Sequence, residues 1–270
     1  MSVYVGDKEI WLQEAIHSIL SQTYSGFTFV IVIDGPVSED LLEIVMFAAR
    51  QDNRIMVVSS ELNLGLSRCM NFVIDWCLAS PPEYFFRMDA DDVSEPERLQ
   101  IQIEYLEAHP QVDILGSALT EINEVGKPVG TRKLPVSDYA IKRMLPKRCS
   151  LNHPTVVMRF RVLQAGYRYK EDLRNTQDYF LWAELAQAGF KFTNLTQPLL
   201  NFRRVDDFYK RRGLSKSINE FKARLYAMKL LNRLRLRYLL YSTAVLCLRI
   251  MPSFVVKLAY KIDRYFLSRR

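Results

Sequence analysis

Three aspartates within four residues mark the place where this chain could do chemistry. Asp89, Asp91 and Asp92 follow directly after the apolar segment 84–88. Carboxylates crowded in this way repel one another, so their charged forms are costly unless a cation shares them. Such oxygen ligands suit Mg2+ or Mn2+, which usually also bind substrate phosphates. The cluster therefore indicates a metal–diphosphate site, with an acidic helix start before Pro96 as the structural alternative.

A further carboxylate is placed for proton transfer. Asp178 begins an apolar helical pattern that continues through Trp182. It could cap this helix, or it could be a general base that faces the acid cluster from across a sheet. Trp182 lies on the same helix face and is either a core residue or a platform for a sugar ring. His153 could line an acceptor pocket, although a lone loop histidine is usually structural.

Two loops in the N-terminal half could contact a nucleotide. Asp34 follows the apolar run 27–33 and could accept hydrogen bonds from a nucleobase or a ribose, or it could simply form a turn. Asn63 and Arg68 flank the start of the next helix, where Asn63 allows close backbone approach and Arg68 could reach a phosphate. An ordinary strand-to-helix loop is the alternative there.

The elements that must position these residues alternate between strand and helix. Apolar strand segments are expected at 2–5, 27–33, 55–58 and 84–88, and helical patterns separate them at 9–21, 39–50 and 66–78. Strands without polar alternation are typical of a sheet covered on both faces. The pattern therefore predicts an α/β fold with a mostly parallel, doubly covered sheet.

Composition excludes several other classes of site. Apolar residues make up 49% of the 270 residues, which is enough for a full core. The ten glycines include no G-x-G pair, so the dinucleotide fingerprint and the phosphate-binding P-loop are absent. The four cysteines form no C-x-x-C pair, which favours free thiols in a reducing compartment over a disulfide framework or a zinc site.

Charge separates the chain into two parts. Residues 203–270 contain 18 Lys and Arg against 4 Asp and Glu, whereas residues 1–202 contain 19 against 26. A basic tail on an acidic body suggests contact with an anionic surface, either membrane headgroups or nucleic acid. Residues 238–248 are uncharged and mostly apolar but too few to span a hydrocarbon core of about 30 Å. An interfacial helix fits them best, and a C-terminal helix packed on the rest of the chain or on a partner subunit is the alternative.

Taken together, these motifs resemble one family, the family 2 nucleotide-sugar glycosyltransferases of the A fold. The matching stretches run in order through residues 2–4, 14–24, 32–35, 63–71, 87–99 and 177–182. The resemblance is strongest to bacterial enzymes that build exopolysaccharide, capsule or lipopolysaccharide. It implies a catalytic domain at 1–212, followed by a basic helical tail at 213–270. The processive-synthase signature Q-x-x-R-W is absent, which favours transfer of a single sugar.

The resemblance also implies residue roles. A nucleotide-sugar site would be formed by Tyr4, Asp34, Asn63, Arg68 and Asp89. Mg2+ or Mn2+ would be held by Asp89, Asp91 and Asp92, and Asp178 would take the proton of the acceptor hydroxyl during an inverting displacement.

Two features depart from the family pattern. Many relatives carry a histidine shortly after the segment 201–204 that helps to hold the metal, and this chain has none; Arg203 or Arg211 could steady the pyrophosphate instead. The opening strand is short, so we expect that the natural start lies upstream of Met1.

The implied partners are a nucleotide sugar and a lipid-linked glycan. The family's most frequent donor is a UDP-sugar, and the implied acceptor is a polyprenyl-diphosphate glycan on the cytoplasmic face of the inner membrane. Two alternatives come from other classes. A nucleotidyltransferase should carry a Gly- and Lys-rich phosphate loop near its N-terminus, and a protein that binds nucleic acid through its tail should show steep salt dependence. We expect no nucleic-acid partner.

Overall fold

The computed structural model describes residues 1–173, 175–205 and 214–250, without the side chains of residues 214–216 and 249–250. The helices are α1 (Glu9–Leu20), α2 (Glu39–Gln51), α3 (Leu66–Cys77), α4 (Arg98–Ala108), α5 (Asp138–Met144), α6 (Phe160–Gln164), α7 (Gln177–Gln187), α8 (Leu214–Leu230) and α9 (Leu236–Ile250). The strands are β1 (Ser2–Val3), β2 (Phe29–Asp34), β3 (Ile55–Ser60), β4 (Tyr84–Phe86), β5 (Val93–Ser94), β6 (Ile114–Ile122), β7 (Pro128–Arg132), β8 (Val157–Arg159) and β9 (Phe192–Arg203).

The first sheet is parallel and covered on both faces, as the sequence predicts. Its order is β1-β2-β3. Alternate residues of β2, among them Phe29 and Ile31, join α1 and α2 in one apolar cluster. The intervening Val30 lies beside Phe72 and Trp76 of α3 on the opposite face. Apolar side chains on both faces explain why β2 lacks polar alternation.

The second sheet is mixed, which corrects the prediction of a mostly parallel architecture. Its order is β4-β8-β6-β9-β5, with β7 paired to β6. Only β6 and β9 pair in parallel, while β4–β8, β6–β8, β6–β7 and β5–β9 are antiparallel. The turn at residues 123–127 joins β6 and β7 too tightly for a parallel crossover, which needs a dozen residues or more. The strand–helix alternation that implies parallel pairing therefore ends at the acid cluster.

The first helix of the basic tail packs on the preceding part of the chain. Ala223 and Ala227 of α8 lie in the same apolar cluster as Trp182 of α7. The Nε of Arg224 donates to the backbone oxygen of Lys147 at 2.7 Å. This arrangement matches the alternative in which the tail packs on protein, at least for α8. Within the described residues, no helix is both long and apolar enough to cross a bilayer.

Candidate active site

The acid cluster lies in the loop between β4 and β5, residues 87–92, which is here called the acid loop. The side chains of this loop alternate in direction. Met88 and Ala90 are buried in the apolar cluster beneath the first sheet. Asp89 and Asp91, between and after them, keep partial exposure. The apolar side chains of Met88 and Ala90 anchor the loop to the core, and residues 90 and 91 form a turn. Two carboxylates are thereby presented on the accessible side of the loop.

Asp92 lies on the other side of this loop, inside the protein. Its side chain is fully buried, and Oδ1 accepts a hydrogen bond from the backbone N–H of Arg203 at 2.9 Å. Burial first, and then the charges of Asp91 and Asp89, raise the pKa of Asp92 well above its usual value. A buried carboxyl bonded to β9 braces the loop. Its Oδ2 has no hydrogen-bond partner among the described residues, so the prediction of Asp92 as a metal ligand stays a prediction.

Asp7, which was not predicted from the sequence, is a further carboxylate close enough to Asp89 and Asp91 to be influenced by their charges. Burial, together with the charges of Asp91 and Asp89, raises the pKa of Asp7 to about 7 against the lowering effect of a hydrogen bond from the Tyr4 backbone. That bond runs from the Tyr4 N–H to Oδ2 of Asp7 at 2.9 Å and closes the loop after β1 on itself. The side chain of Tyr4 is 43% exposed. The one signal in the sequence was an aspartate after a glycine turn.

A buried arginine pairs with the acid cluster and acts on Asp178 through its charge. Arg87 is 2% exposed and pairs with Asp89, to which its Nη2 donates. Its charge lowers the pKa of Asp91 and of Asp178, and it also depresses that of His153. Arg87 is therefore near enough to these groups for its charge to influence their ionisation. Arg87 had a sequence signal, since it is the one charge within an otherwise apolar strand end.

Asp178 lies in the first turn of α7, with its carboxyl turned inward. Burial raises its pKa, while hydrogen bonds from the Tyr179 backbone and the Cys149 thiol and the charge of Arg87 lower it. The preceding Thr176 caps the helix at φ 65°, in the left-handed region. A β-branched residue rarely adopts that conformation, and such strain concentrates at functional sites. A carboxylate with an elevated pKa is suited to accept a proton near neutral pH.

His153 and Trp182 form one wall behind Asp178. Nε2 of His153 lies 3.1 Å from the hydroxyl of Tyr169, and burial holds the pKa of His153 well below its usual value. The imidazole is therefore neutral and can offer a hydrogen bond but no charge to a phosphate. Trp182 is fully buried, and its ring lies edge-on to His153 at 6.0 Å. That position matches the core alternative rather than a sugar platform.

Asp34 acts on the neighbouring loop. It is 3% exposed, and its two carboxylate oxygens accept from the backbone N–H groups of Leu64 at 2.6 Å and Gly65 at 3.0 Å. Nδ2 of Asn63 donates to the Asp34 backbone oxygen at 3.1 Å. Any nucleotide contact at this point would involve the loop that Asp34 shapes. Arg68, also predicted here, pairs with Glu171 at 3.2 Å on the surface.

Arg203 is fully engaged inside the protein. Its side chain is 1% exposed and pairs with Glu14, and its Nε donates to the backbone oxygen of Asp91 at 3.0 Å. Its charge also lowers the pKa of Asp91. The arginine thus supports the acid loop from behind and has no group directed to a phosphate. Arg211, the other predicted phosphate ligand, lies outside the described residues.

Replacing Arg203 by Met is expected to lower the free energy of unfolding by about 2–4 kcal/mol, because buried carbonyls lose their donors. The matched control is Arg68→Met, whose exposed ion pair should contribute less than about 1 kcal/mol. Urea unfolding of both variants checks the difference. Equal stability of the two would contradict the supporting role of Arg203.

The accessible carboxylates fit part of a divalent-ion site. Among the described residues, no three His, Cys, Asp or Glu side chains form a complete metal-binding group. Mg2+ and Mn2+, however, usually take one or two protein carboxylates and complete their shell with phosphates and water. Asp89 and Asp91 match that donor set. Burial and the charge of Asp89 raise the pKa of Asp91 to about 6, which is the strain that a cation would relieve.

Comparisons with known proteins identify the family of this chain. The model for Glycosyl transferase family 2 matches residues 3–166. The amylovoran biosynthesis glycosyltransferase AmsE of Erwinia amylovora is 34% identical over 270 residues, which cover 98% of this chain and 97% of that protein. A UDP-Gal:alpha-D-GlcNAc-diphosphoundecaprenol beta-1,3-galactosyltransferase of Escherichia coli is 28% identical, over 84% of this chain and 81% of that one.

A solved structure establishes the fold. The S. aureus TarS fragment 1–349 in complex with UDP superposes with a TM-score of 0.60 at 19% identity, over 86% of this chain and 70% of that one. The chain therefore belongs to glycosyl transferase family 2, and its fold is that of these enzymes. This assignment supports neither alternative, the nucleotidyltransferase or the nucleic-acid-binding protein.

Proposed function

We propose that this family 2 glycosyltransferase moves one sugar from a nucleoside diphosphate sugar to a lipid-linked glycan, with inversion at the anomeric carbon. The observation that carries the proposal is the shared environment of Asp178 and the acid loop. Arg87 pairs with Asp89 and also lowers the pKa of Asp178. The charges of Asp178 and Asp89 both raise the pKa of Tyr169. A donor held at the acid loop would thus present its sugar toward Asp178.

In this proposal the chain's residues divide the chemistry between two sides. Asp89 and Asp91 would hold a Mg2+ or Mn2+ ion together with the donor diphosphate. When bound, the ion supplies positive charge that stabilises the departing nucleoside diphosphate. On the other side, Asp178 accepts the proton of the acceptor hydroxyl through a carboxylate oxygen. Attack from the face opposite the leaving group inverts the anomeric centre in a single displacement.

A UDP-sugar is the proposed donor. The TarS structure contains UDP, and the E. coli relative is named as a UDP-Gal-dependent enzyme. The backbone of residues 63–65, shaped by Asp34, and the exposed Tyr4 would form the nucleotide wall. The proposed setting is polysaccharide synthesis, because AmsE is named for amylovoran biosynthesis. The diphosphoundecaprenol acceptor in the E. coli relative's name supports a lipid-linked acceptor. The proposal places that acceptor on the cytoplasmic side of the inner membrane.

A panel of nucleotide sugars tests this function. UDP- and GDP-sugars are incubated with the protein and Mn2+, and both the thermal midpoint and slow donor hydrolysis are recorded, with EDTA as the control. We expect one or a few UDP-sugars to stabilise the protein in Mn2+ alone. Stabilisation by a GDP-sugar would change the nucleoside, and no response to any donor would contradict the proposal.

The junction of α8 and α9 is proposed as the contact with the membrane surface. Leu234, Leu236 and Leu240 are 58%, 71% and 62% exposed. The exposed Arg235 and Arg237 lie between them. Apolar side chains interleaved with arginine suit the boundary between acyl chains and anionic headgroups. A contact here would bring the catalytic domain to a lipid-linked acceptor.

The double variant Leu236→Glu/Leu240→Glu is expected to lose vesicle binding by about tenfold or more, since two apolar anchors become acidic. The matched control is Val125→Glu/Val129→Glu, which makes the same kind of change at the exposed β6–β7 hairpin. Flotation with anionic phospholipid vesicles measures the bound fraction. Point variants are preferable to removal of the tail, because α8 is part of the core. Equal flotation of both double variants would place the contact elsewhere.

A further inference from the structure

The thiol of Cys149 is the one side chain of the described residues that donates to the carboxyl of Asp178. Sγ of Cys149 lies 3.7 Å from Oδ2 of Asp178. It also lies 3.4 Å from the backbone oxygen of Leu151. Both distances are within range for a sulfur donor, which is weaker than a hydroxyl. A single S–H hydrogen therefore has two acceptors, one of which can change its charge.

The protonation state of this thiol fixes the direction of the bond. Burial, followed by the charge of Asp178, raises the pKa of Cys149 well above its usual value. The sulfur consequently keeps its hydrogen and is no nucleophile, since nucleophilic cysteines need a depressed pKa. Its role toward Asp178 is that of a donor.

We propose that Cys149 is a positioning residue for the general base: its thiol holds the ionised Asp178 carboxylate toward the acceptor and turns to the Leu151 carbonyl once that carboxylate is protonated. This inference rests on the proposed role of Asp178. In the transfer step the acceptor hydroxyl gives its proton to Asp178 while its oxygen bonds to the anomeric carbon. The bond from that carbon to the diphosphate oxygen breaks, and the thiol hydrogen stays on sulfur throughout.

The other groups that face Asp178 do not replace the thiol. Arg87 acts on Asp178 through its charge: its Nη1 and Nη2 donate to the Met88 backbone and to Asp89, and its Nε has no partner among the described residues. The hydroxyl of Tyr169 lies 3.1 Å from His153. The Tyr179 backbone N–H also favours the carboxylate, but it is fixed in α7 and cannot respond to a change of charge. Cys149 is thus the partner that can exchange acceptors as the base cycles.

Activity against pH tests the proposal. Cys149→Ala removes the hydrogen-bond donor to Asp178, which favours the neutral form of that carboxyl and raises its pKa. The acid limb of the kcat–pH profile should therefore move to higher pH by about 0.5–1 unit. Cys149→Ser restores a donor and should return the limb to the wild-type position or below it. Cys77→Ala, which changes a partly buried cysteine of α3, is the control and should leave the limb in place. An unchanged limb in Cys149→Ala would overturn the proposal.

Unfolding gives a second measurement that needs no activity. Because burial raises the pKa of Asp178, its ionisation destabilises the fold as pH rises from about 4. Cys149→Ala should deepen that loss, and it should have no such effect in the Asp178→Asn background. An equal effect in both backgrounds would overturn the proposal.

If Asp178→Asn removes transfer but Cys149→Ala behaves as wild type, only the role of Cys149 fails. If Asp178→Asn retains transfer, the base assignment fails, and the proposal for Cys149 fails with it.

Discussion

Replacing Asp178 by Asn is expected to reduce kcat by at least about 1,000-fold while donor affinity stays within about threefold of wild type. The amide has nearly the same shape but cannot accept the acceptor's proton. Burial raises the pKa of this carboxyl, which favours its acceptance of a proton, and the charge of Arg87 acts in the opposite direction. Donor binding depends on the acid loop and should be independent of this change. Initial rates and calorimetric donor binding measure the two quantities.

Asp75→Asn is the control for this substitution, because Asp75 lies on the surface and forms an exposed ion pair with Arg168. It should leave kcat unchanged. Wild-type turnover in Asp178→Asn would refute the base assignment. A loss of donor affinity as large as the loss of kcat would instead show that Asp178 binds the donor.

Replacing Asp91 by Asn is expected to abolish transfer and, at the same time, to stabilise the metal-free protein by about 1–3 kcal/mol. Burial and the charge of Asp89 raise the pKa of Asp91 to about 6, so its ionised form destabilises the fold. The unfolded chain releases this proton near pH 4 and the folded chain only near pH 6. Stability should therefore fall across that window as pH rises, and the fall should be smaller in the variant.

Thermal unfolding in EDTA between pH 4 and pH 8 measures this effect. Mn2+ should raise the midpoint of the wild-type protein at pH 7.5 and leave that of Asp91→Asn almost unchanged. Asp40→Asn, at the exposed start of α2, serves as the control and should respond to Mn2+ as the wild type does. A metal-free Asp91→Asn protein that is less stable than wild type would contradict the account of crowded carboxylates.

Local patterns in the sequence predicted the first sheet and the acid loop well. The uninterrupted apolar run at β2 predicted a strand that is covered on both faces, as the structure has it. The alternation of buried Met88 and Ala90 with Asp89 and Asp91 is likewise visible in the local sequence, without knowledge of residues far along the chain. Strand pairing in the second sheet could not be predicted in this way, because β6 pairs with β8 and β9 from far along the chain.

The roles of individual polar residues were harder to predict where their partners are distant. Asp34 and Asp92 look like ligands in the sequence, but their carboxylates accept from backbone groups at Leu64, Gly65 and Arg203. No spacing rule reveals such partners, since they come together only when the fold forms. Cys149 carried no signal at all for the same reason.

Calorimetric titration of UDP tests most directly whether the acid loop binds a metal-bound diphosphate. UDP is titrated into the wild-type protein and into Asp91→Asn, each in Mn2+ and in EDTA. We predict binding by the wild-type protein in Mn2+, with a loss of at least about tenfold in affinity in EDTA and in the variant. Equal UDP affinity under all of these conditions would contradict the account, because the diphosphate would then be held without Asp91 and without a divalent ion.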